Sequence, residues 1–392
     1  LYQPNSLDFL MWTLVLYLLI KYLKSENSRW LYFCAIAFAV GLLNKYNIAF
    51  LLLALILSFL ISEKRKIFLI RHLYIAAALG LIIFLPNLFW QVNSDFPVFQ
   101  HLKELTQTQL VNVTRTDFLF EQLYFFPGSL LVIVIGLVAF FKFDAFRNYR
   151  VLFCTFIFTL VIFTYLKAKN YYSIGLYPIY IAFGAIYLEK ILSKGWVKHL
   201  RIIFLLSPVL SFFFMFQILL PFLSPQEIIE KKELFDKYNL TRWEDGKIYH
   251  IPQDFADMLG WKELAQIVDS AMHLVDEEEK TIIHCDNYGQ AGAINYYSDR
   301  LATEALSMSA DYINWYPLET MDIKNVILVK EASDSDNTRE KEKSLFENVF
   351  FIGKIENEYA REKATKVYLL KGAKQSINEI LLNEIEERKN NR

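Results

Sequence analysis

Cysteine, glycine and proline are scarce in this sequence, at 3, 13 and 10 of its 392 residues. The three cysteines, Cys34, Cys154 and Cys285, lack metal-ligand spacing and suggest no pairing, so they argue against a disulfide-stapled fold or a zinc site. We expect them to be small buried apolar residues. Asn287–Gly292 is too irregular for a glycine-rich phosphate-binding motif. No internal repeat or low-complexity tract is present.

Apolar residues are abundant, with 54% of the chain hydrophobic and 16% aromatic, which indicates a membrane protein. Up to about Leu223 the sequence is a series of apolar runs long enough, or nearly so, to cross a bilayer of roughly 30 Å. After Leu223 it resembles an ordinary soluble domain. We therefore predict an α-helical polytopic membrane domain of about eight transmembrane helices over residues 1–223, followed by a small α/β extracytoplasmic domain over residues 224–392.

Charge divides at the same place. Residues 1–223 hold 19 Lys and Arg against 9 Asp and Glu, a balance of +10. Residues 224–392 hold 22 against 33, a balance of −11. The near-neutral total of −1 thus conceals two domains of opposite sign, and the acidic part is not expected to bind nucleic acid.

Lysine and arginine predict the orientation of the helices, since cytoplasmic loops carry an excess of both. One set of loops and helix ends holds 14 cations and the opposite set holds 5. The first set is predicted to be cytoplasmic, which places the N-terminus, the loop 91–121, the Lys167 loop and the soluble domain outside an inner (plasma) membrane. The eight helices are predicted at approximately 6–23, 28–43, 47–62, 72–90, 122–141, 151–166, 174–192 and 200–223.

The soluble part has alternating helical and strand patterns, which is typical of an α/β domain. An acidic turn is predicted at Glu277–Glu279. Strands are predicted at Thr281–Cys285, Val326–Val329, Val349–Ile355 and Lys366–Leu370, and helices at Gly260–Val275, from Asn287 to Tyr297, and at Ser376–Arg388.

The segment from Leu166 to Pro178 places Lys167, Lys169, Tyr171 and Tyr172 between two long apolar runs. Holding charge at the end of a membrane helix costs free energy, which favours a functional role. One interpretation is a clamp for a lipid phosphate, with the tyrosines as hydroxyl donors. The alternative is interfacial anchoring, because lysine snorkels and tyrosine favours the membrane interface.

Two other outer segments carry candidate residues. Lys45 lies in a minimal turn between apolar helices, either as a second cation facing an outer cavity or as a solvated turn residue. The stretch from Pro86 to His101 alternates polar and aromatic residues, and Asp95 or His101 is a candidate general base there. The alternative is plain loop structure. The carboxylates on the predicted outer side are Asp8, Asp95, Glu104, Asp117 and Glu121.

No metal site follows from the sequence. His250, Asp254 and Asp257 lack a spacing that supports one. We expect no cofactor that the sequence shows, and dependence on a divalent metal stays open.

Five segments together carry a family resemblance, namely Gly41–Tyr46, Pro86–Trp90, Phe96–His101, Phe126–Gly128 and Lys167–Pro178. They resemble the polytopic (GT-C type) glycosyltransferases related to dolichyl-phosphate-mannose protein mannosyltransferases, a group that includes the bacterial lipid A aminoarabinose transferase. Residues 249–297 look like the extracytoplasmic tail of bacterial members.

The resemblance implies transfer of a sugar from a polyprenyl-phosphate carrier to a lipid, glycan or protein acceptor at the outer face of the membrane. It further implies an inverting displacement, in which a carboxylate deprotonates the acceptor and cations stabilise the departing phosphate. By similarity, Lys45, Lys167 and Lys169 would bind that phosphate, with Tyr171, Tyr172 and His101 also in the substrate site.

The catalytic base is not identified by the resemblance. The acidic motif of the family lies in the first outer loop, upstream of Leu1, so we expect a fragment that is inactive by itself. Within the present sequence Asp95 is the candidate.

Two other functions compete with glycosyl transfer. A transporter or flippase of lipid-linked saccharide would carry ionisable groups near mid-membrane, whereas here the charge gathers near the helix ends. A membrane-anchored binding module would instead place the function in the acidic domain.

Overall fold

The computed structural model describes residues 3–276, 280–299, 303–319 and 321–390, apart from the side chain of Gln217. The predicted acidic turn Glu277–Glu279 lies outside the described residues. The chain divides into two compact units, Leu1–Phe96 with Lys103–Leu220 and Pro97–Leu102 with Pro221–Arg392.

The first unit is built from apolar helices. Residues at helical spacing bury one another where the helices cross. The α-helices up to residue 220 are α1 (Asn5–Ser25), α2 (Arg29–Asn44), α3 (Ile48–Ile61), α4 (Arg71–Asn93), α5 (Pro97–Thr108), α6 (Arg115–Glu121), α7 (Leu130–Lys142), α8 (Arg150–Tyr165), α9 (Tyr177–Ile191) and α10 (Arg201–Leu219). Helix α5 extends across the division between the units.

Each of the eight predicted apolar helices has a counterpart, namely α1–α4 and α7–α10. In the described part of the chain, five helical stretches are long and apolar enough to cross a membrane. Helices α2, α3 and α7 are apolar but shorter, so the count of eight spans is not confirmed. The spanning stretches are Asn5–Ser25, Arg71–Asn93, Asp144–Tyr165, Asn170–Ile191 and Trp196–Phe216.

Two predicted boundaries were wrong. The fifth apolar helix begins at Leu130 rather than near 122, because Pro127 lacks the N–H that a continuing helix needs and a short 3-10 turn intervenes. The predicted loop after the fourth helix is largely helical. Helix α4 continues to Asn93, and α5 starts directly at Pro97, a residue that suits the first position of a helix.

Helix α1 lies in the core of the first unit. Its Trp12 and Leu16 are fully buried, and the Trp12 ring lies 6.0 Å from that of Phe163 on α8. Helices α7 and α9 cross so closely that a Cβ on Gly184 would lie 2.0 Å from the carbonyl oxygen of Val132. This crossing therefore requires glycine.

The second unit contains a five-stranded mixed sheet in the order β2-β1-β3-β5-β4, in which β1 is parallel to β2 and β3, and β5 is antiparallel to β3 and β4. Its elements are α11 (Pro225–Glu230), α12 (Lys232–Lys237), α13 (Gln253–Ala256), α14 (Trp261–Met272), β1 (Thr281–Cys285), α15 (Tyr288–Tyr297), β2 (Ala305–Ser307), β3 (Asn325–Lys330), α16 (Glu340–Leu345), β4 (Phe346–Lys354), β5 (Lys366–Ala373) and α17 (Ile377–Asn390).

Both faces of this sheet are covered at the central strands β1 and β3, whereas most of the edge strand β4 is exposed. On one face, alternate residues such as Ile283 and Ile327 pack with α14 and α15; on the other, Ile282 and Leu328 pack with α17. The four predicted strands and the helix–sheet alternation are confirmed. Strand β2 was not predicted, because three residues, Ala-Leu-Ser, are too few to show a period.

Candidate active site

Lys45 lies at the centre of a polar cluster at one end of the first unit. The short turn between α2 and α3 extends the backbone at Lys45, and its Nζ donates a hydrogen bond to Oδ1 of Asn5, 2.8 Å away. The same Nζ lies 4.8 Å and 4.4 Å from the ring centroids of Tyr171 and Tyr172. These distances are within the range of cation–π attraction, so three elements distant in sequence hold one ammonium group.

Asp8 completes what we call the Lys45 cluster, comprising Asn5, Asp8, Lys45, Asn47, Tyr171 and Tyr172. The Asp8 side chain is 4% exposed, and its Oδ2 accepts a hydrogen bond from Nδ2 of Asn47 at 2.9 Å. Within the described residues, Oδ1 of Asn47 is buried and has no hydrogen-bond partner. Oδ1 of Asp8 is also buried and makes no hydrogen bond of good geometry, although the indole N–H of Trp12 acts on the Asp8 carboxyl as a donor. Buried acceptors without partners are costly and uncommon, so Oδ1 of Asn47 marks a place that suits a donor group of a ligand.

The charges around Lys45 act in opposite directions. Burial lowers the pKa of the Lys45 ammonium below its usual range, since the charged form loses hydration. The Asp8 carboxylate raises that pKa, and the nearby Lys169 lowers it further. The predicted cations Lys45 and Lys169 are therefore close enough to act on one another.

The segment that carries the tyrosines is fixed to α1. Asn170–Leu176 is a 3-10 helix, and the carbonyl of Gly175 accepts a hydrogen bond from Oγ1 of Thr13 at 3.1 Å. A Cβ on Gly175 would lie 2.5 Å from Cβ of Trp12, so glycine permits this close approach. The carbonyl of Tyr172 also accepts a hydrogen bond from Nδ2 of Asn47 at 3.4 Å.

Gln122 fixes the same segment from the other side. Its Oε1 accepts hydrogen bonds from the hydroxyls of Ser173 and Tyr177, and its Nε2 donates to the carbonyl of Asn170 at 3.2 Å. Gln122 and Ser173 are both buried. The tyrosines of the Lys45 cluster are therefore held by a buried polar network.

The other predicted site residues lie elsewhere. Lys167 is half-buried, in a left-handed backbone conformation with φ of 51°, two residues before Lys169. Asp95 is exposed in the connection between α4 and α5, with φ of 57°, and its backbone N–H donates a hydrogen bond to the carbonyl of Val92 at 3.4 Å. His101 is exposed on α5, in the part of that helix that groups with the second unit.

A second polar group lies next to Lys45 in sequence. The hydroxyl of Tyr46 donates to Oδ1 of Asn87 at 2.6 Å and accepts from Nε2 of Gln91 at 2.9 Å. The Tyr46 ring meets Phe84 edge to face, with 6.1 Å between the ring centroids.

An apolar cavity of about 330 Å³ lies among α1, α2, α3 and α4. Its walls are aliphatic and aromatic, and its lining includes Phe68 in the 3-10 helix Arg65–Leu69, Leu42 on α2 and Phe84 on α4. Because Phe84 touches Tyr46, this cavity ends beside the residue that follows Lys45. An apolar cavity and a half-buried cation therefore share one end of the helical unit.

This helical unit is that of an integral membrane protein, and its first four helices match a known family. Residues 1–90 match the family model described as dolichyl-phosphate-mannose-protein mannosyltransferase. The matched region contains Asp8, Lys45 and the apolar cavity, so this part of the chain is similar to that glycosyltransferase family, as the resemblance implied. No curated protein and no solved structure matched the chain.

Sequence reasoning named Lys45, Lys169, Tyr171 and Tyr172, and the structure brings these residues to one place. It did not single out Asp8, Asn47 or Asn5. Asp8 was counted among the outer carboxylates, but a lone Asp in the first turn of a helix is also the ordinary residue for that position. The feature of the sequence that indicates a role for Asp8 is its position in a membrane helix, where a carboxylate needs a partner.

Proposed function

We propose that the protein is a glycosyltransferase that takes a sugar from a polyprenyl-phosphate carrier and passes it to a lipid, glycan or protein acceptor at the outer face of the plasma membrane. The observation that supports it most directly is the position of Lys45 beside one end of the apolar cavity. The carrier phosphate is assigned to the Lys45 cluster, and part of the polyprenyl chain to the cavity.

The cations suit a departing phosphate. Negative charge on the phosphate grows as the bond to the sugar breaks, and a positive group already held in place stabilises that charge without reorganising. Lys45 is held by Asn5 and by the rings of Tyr171 and Tyr172. Lys169 supplies a second positive charge nearby. The repulsion between the two ammonium groups is relieved when a phosphate binds between them.

The cavity suits an isoprenoid chain. Its lining is almost wholly apolar, and each buried CH₂ group of a ligand contributes about 0.8 kcal/mol. A volume of about 330 Å³ accommodates only part of a long chain, so the remainder would extend into the bilayer. This division favours a carrier that has a charged head and a long apolar tail.

Asp8 is proposed to position Lys45 and Asn47 and to accept a hydrogen bond from a sugar hydroxyl at Oδ1. The carboxylate attracts the Lys45 ammonium and is hydrogen-bonded to Asn47 through its other oxygen. A sugar hydroxyl would add a well-formed hydrogen bond at this buried oxygen, where the only donor acting on the carboxyl besides Asn47 among the described residues is the indole N–H of Trp12.

The outer-face assignment rests on the distribution of lysine and arginine, from which we also infer that the second unit lies outside the cell. The assay uses the complete natural protein reconstituted in liposomes. The liposomes contain polyprenyl-phosphate-linked sugar labelled in the sugar, and candidate acceptors are added outside. Cleavage of the bond between carrier and sugar supports transfer. Movement of intact lipid across the bilayer without cleavage would instead establish a flippase.

A further inference from the structure

The second unit contains a cavity of about 440 Å³ next to the carboxyl end of β3, where Ala332 is part of its lining. The chain leaves β1 through α15 to β2 on one side, while β3 lies on the other side of β1. Crevices at the carboxyl ends of parallel strands, where the strand order reverses in this way, are common ligand sites. The position of the cavity therefore indicates a binding site.

One wall is a tight hairpin that holds two aromatic rings. Arg242 and Ile248 form an isolated antiparallel bridge, and the rings of Trp243 and Tyr249 stack with centroids 3.7 Å apart and planes at 16°. The indole N–H of Trp243 donates to the carbonyl of Ile251 at 2.9 Å, and the hydroxyl of Tyr249 donates to Oδ2 of Asp245 at 2.7 Å. The aromatic pair is thus fixed before any ligand arrives.

The opposite wall is the connection between β4 and β5. It is closed by backbone hydrogen bonds from Ile355 to Thr365 at 2.9 Å and from Ala364 to Ile355 at 3.0 Å. Its residues Glu358, Tyr359 and Lys363 line the cavity together with Arg361. The wall therefore offers an aromatic ring, hydrogen-bond donors and a carboxylate acceptor within a few residues.

Two anchors hold this connection in place. Nη1 of Arg361 lies 3.1 Å from each carboxylate oxygen of Asp257, so most of its charge is balanced within the protein. Glu362 accepts a hydrogen bond from Nε2 of Gln290 on α15 at 2.8 Å, and burial raises the pKa of the Glu362 carboxyl. Both neighbours of Glu362 line the cavity, which is consequently rigid on this side.

We propose that this cavity, between Trp243–Tyr249 and Glu358–Lys363, binds a neutral oligosaccharide. Sugar rings present apolar C–H faces that pack on aromatic rings, and hydroxyls that both donate and accept hydrogen bonds. The cavity supplies aromatic rings on both walls, donors from Lys363 and Arg361, and an acceptor from Glu358.

Charge distinguishes a sugar from a nucleotide, which would also stack on aromatic rings. Residues 224–392 carry a net charge of −11, and the Arg361 guanidinium is already paired with Asp257. A polyphosphate would therefore meet an unfavourable field, whereas a neutral glycan would not. The choice of a saccharide also rests on the proposed function, but the cavity and its binding test do not depend on transfer activity.

The test uses the full chain in phospholipid nanodiscs prepared without glycoside detergents, since detergent sugars would compete. Cellohexaose, chitohexaose and mannohexaose are titrated separately by calorimetry, with ATP as the alternative ligand. We expect at least one hexasaccharide to bind with a dissociation constant on the order of 1 mM or below. Tyr359→Ala and Lys363→Ala should each weaken that binding about tenfold, equivalent to about 1.4 kcal/mol.

Tyr296→Ala is the matched control, because Tyr296 is 80% exposed on α15 and does not line the cavity. Thermal unfolding verifies that each variant is folded. The proposal is overturned if no hexasaccharide binds, if neither cavity variant weakens binding, or if Tyr296→Ala weakens it equally. Binding of ATP alone would identify a nucleotide site. Lys45→Ala removes the cation proposed to bind the carrier phosphate but should keep full saccharide binding in the second unit. The saccharide proposal can therefore succeed or fail independently of the transfer proposal.

Discussion

Asn47 donates a hydrogen bond to the buried carboxylate of Asp8 at 2.9 Å, across 39 residues of sequence. This contact joins the turn between α2 and α3 to the first helix and places a negative charge near Lys45. The cluster is consequently a coupled set, in which the charge state of Lys45 depends on Asp8. Replacing Asp8 should therefore change how carrier binding depends on pH.

Asp8→Asn should lower the pH above which carrier binding is lost. In the native protein the Asp8 carboxylate raises the pKa of Lys45, opposing the lowering by burial and by Lys169. Without that carboxylate the pKa of Lys45 falls further, so the ammonium loses its proton at a lower pH and binding of the carrier phosphate weakens earlier as pH rises. The measurement is the affinity for a polyprenyl phosphate in nanodiscs between pH 6 and pH 10.

Lys45→Arg serves as the control for this pH dependence, because guanidinium keeps its charge throughout that range. With arginine at position 45, the Asp8→Asn change should leave the pH at which binding declines unmoved. An identical alkaline decline for the native protein and Asp8→Asn would show that the carboxylate does not control the charge of Lys45.

The two lysines before the tyrosines should differ in effect. Lys169 acts electrostatically on Lys45, whereas Lys167 lies two residues earlier in a left-handed turn. We expect Lys169→Ala to weaken carrier binding by about tenfold, and Lys167→Ala by less, since one favourable charge contact in a partly buried site contributes about 1–2 kcal/mol. The measurement is binding of the same polyprenyl phosphate at low and high salt.

The double variant Lys167→Ala, Lys169→Ala tests the clamp as a whole. Unchanged carrier binding in the double variant would leave interfacial anchoring as the role of both lysines. A larger loss for Lys167→Ala than for Lys169→Ala would contradict the role of Lys169 as the second positive charge near Lys45.

Narrowing the apolar cavity should weaken binding of long-chain carriers only. Ala77 lies on the cavity wall, so Ala77→Phe places a ring in the space that we assign to the isoprenoid. We expect loss of affinity for a polyprenyl phosphate, with little change for a short-chain phosphate that reaches only the Lys45 cluster. The comparison of the two ligands separates loss of tail binding from damage to the phosphate site.

Ala78→Phe is the matched control for the cavity, because Ala78 is the next residue on α4, is exposed and does not line the cavity. Equal losses in the two variants would mean that added bulk on α4, rather than occupation of the cavity, is responsible.

The sequence predicted the apolar helices and most of the sheet, because long apolar runs and β-branched segments are signals that local residues carry. It also singled out Lys45 and Lys169, since lysines are conspicuous on the predicted outer side, where lysine and arginine are few. It did not reveal the pairing of Asp8 with Asn47, because only the packing of α1 against the turn at Lys45 brings them together. No periodicity encodes such a contact.

Helix α5 was also not predicted, for a different reason. The segment from Pro97 to Thr108 carried a recognisable signal, with proline at the first helical position and apolar residues at Val98, Leu102 and Leu105. The alternation of polar and aromatic residues before it predicts a loop instead. Asp95 and His101 were placed on that loop, and their assignment to the site stays a prediction.

Gly175→Ala should destabilise the protein and reduce carrier binding together. A Cβ at this position would lie 2.5 Å from Cβ and 3.1 Å from Cγ of Trp12, whose ring is fully buried. The segment Asn170–Leu176 must then move away from α1, and overpacking of this kind costs about 1–3 kcal/mol. Because Tyr171 and Tyr172 are on that segment, their contacts with Lys45 should loosen as well.

The measurements are thermal unfolding in nanodiscs and affinity for the polyprenyl phosphate. Gly292→Ala is the control, since a Cβ at Gly292 would meet no atom within 4 Å and the glycine lies inside α15. Alanine there should be neutral or stabilising by up to about 1 kcal/mol. Carrier affinity that stayed native in Gly175→Ala despite a lower unfolding temperature would show that the tyrosine segment is not needed to hold Lys45 in its binding geometry.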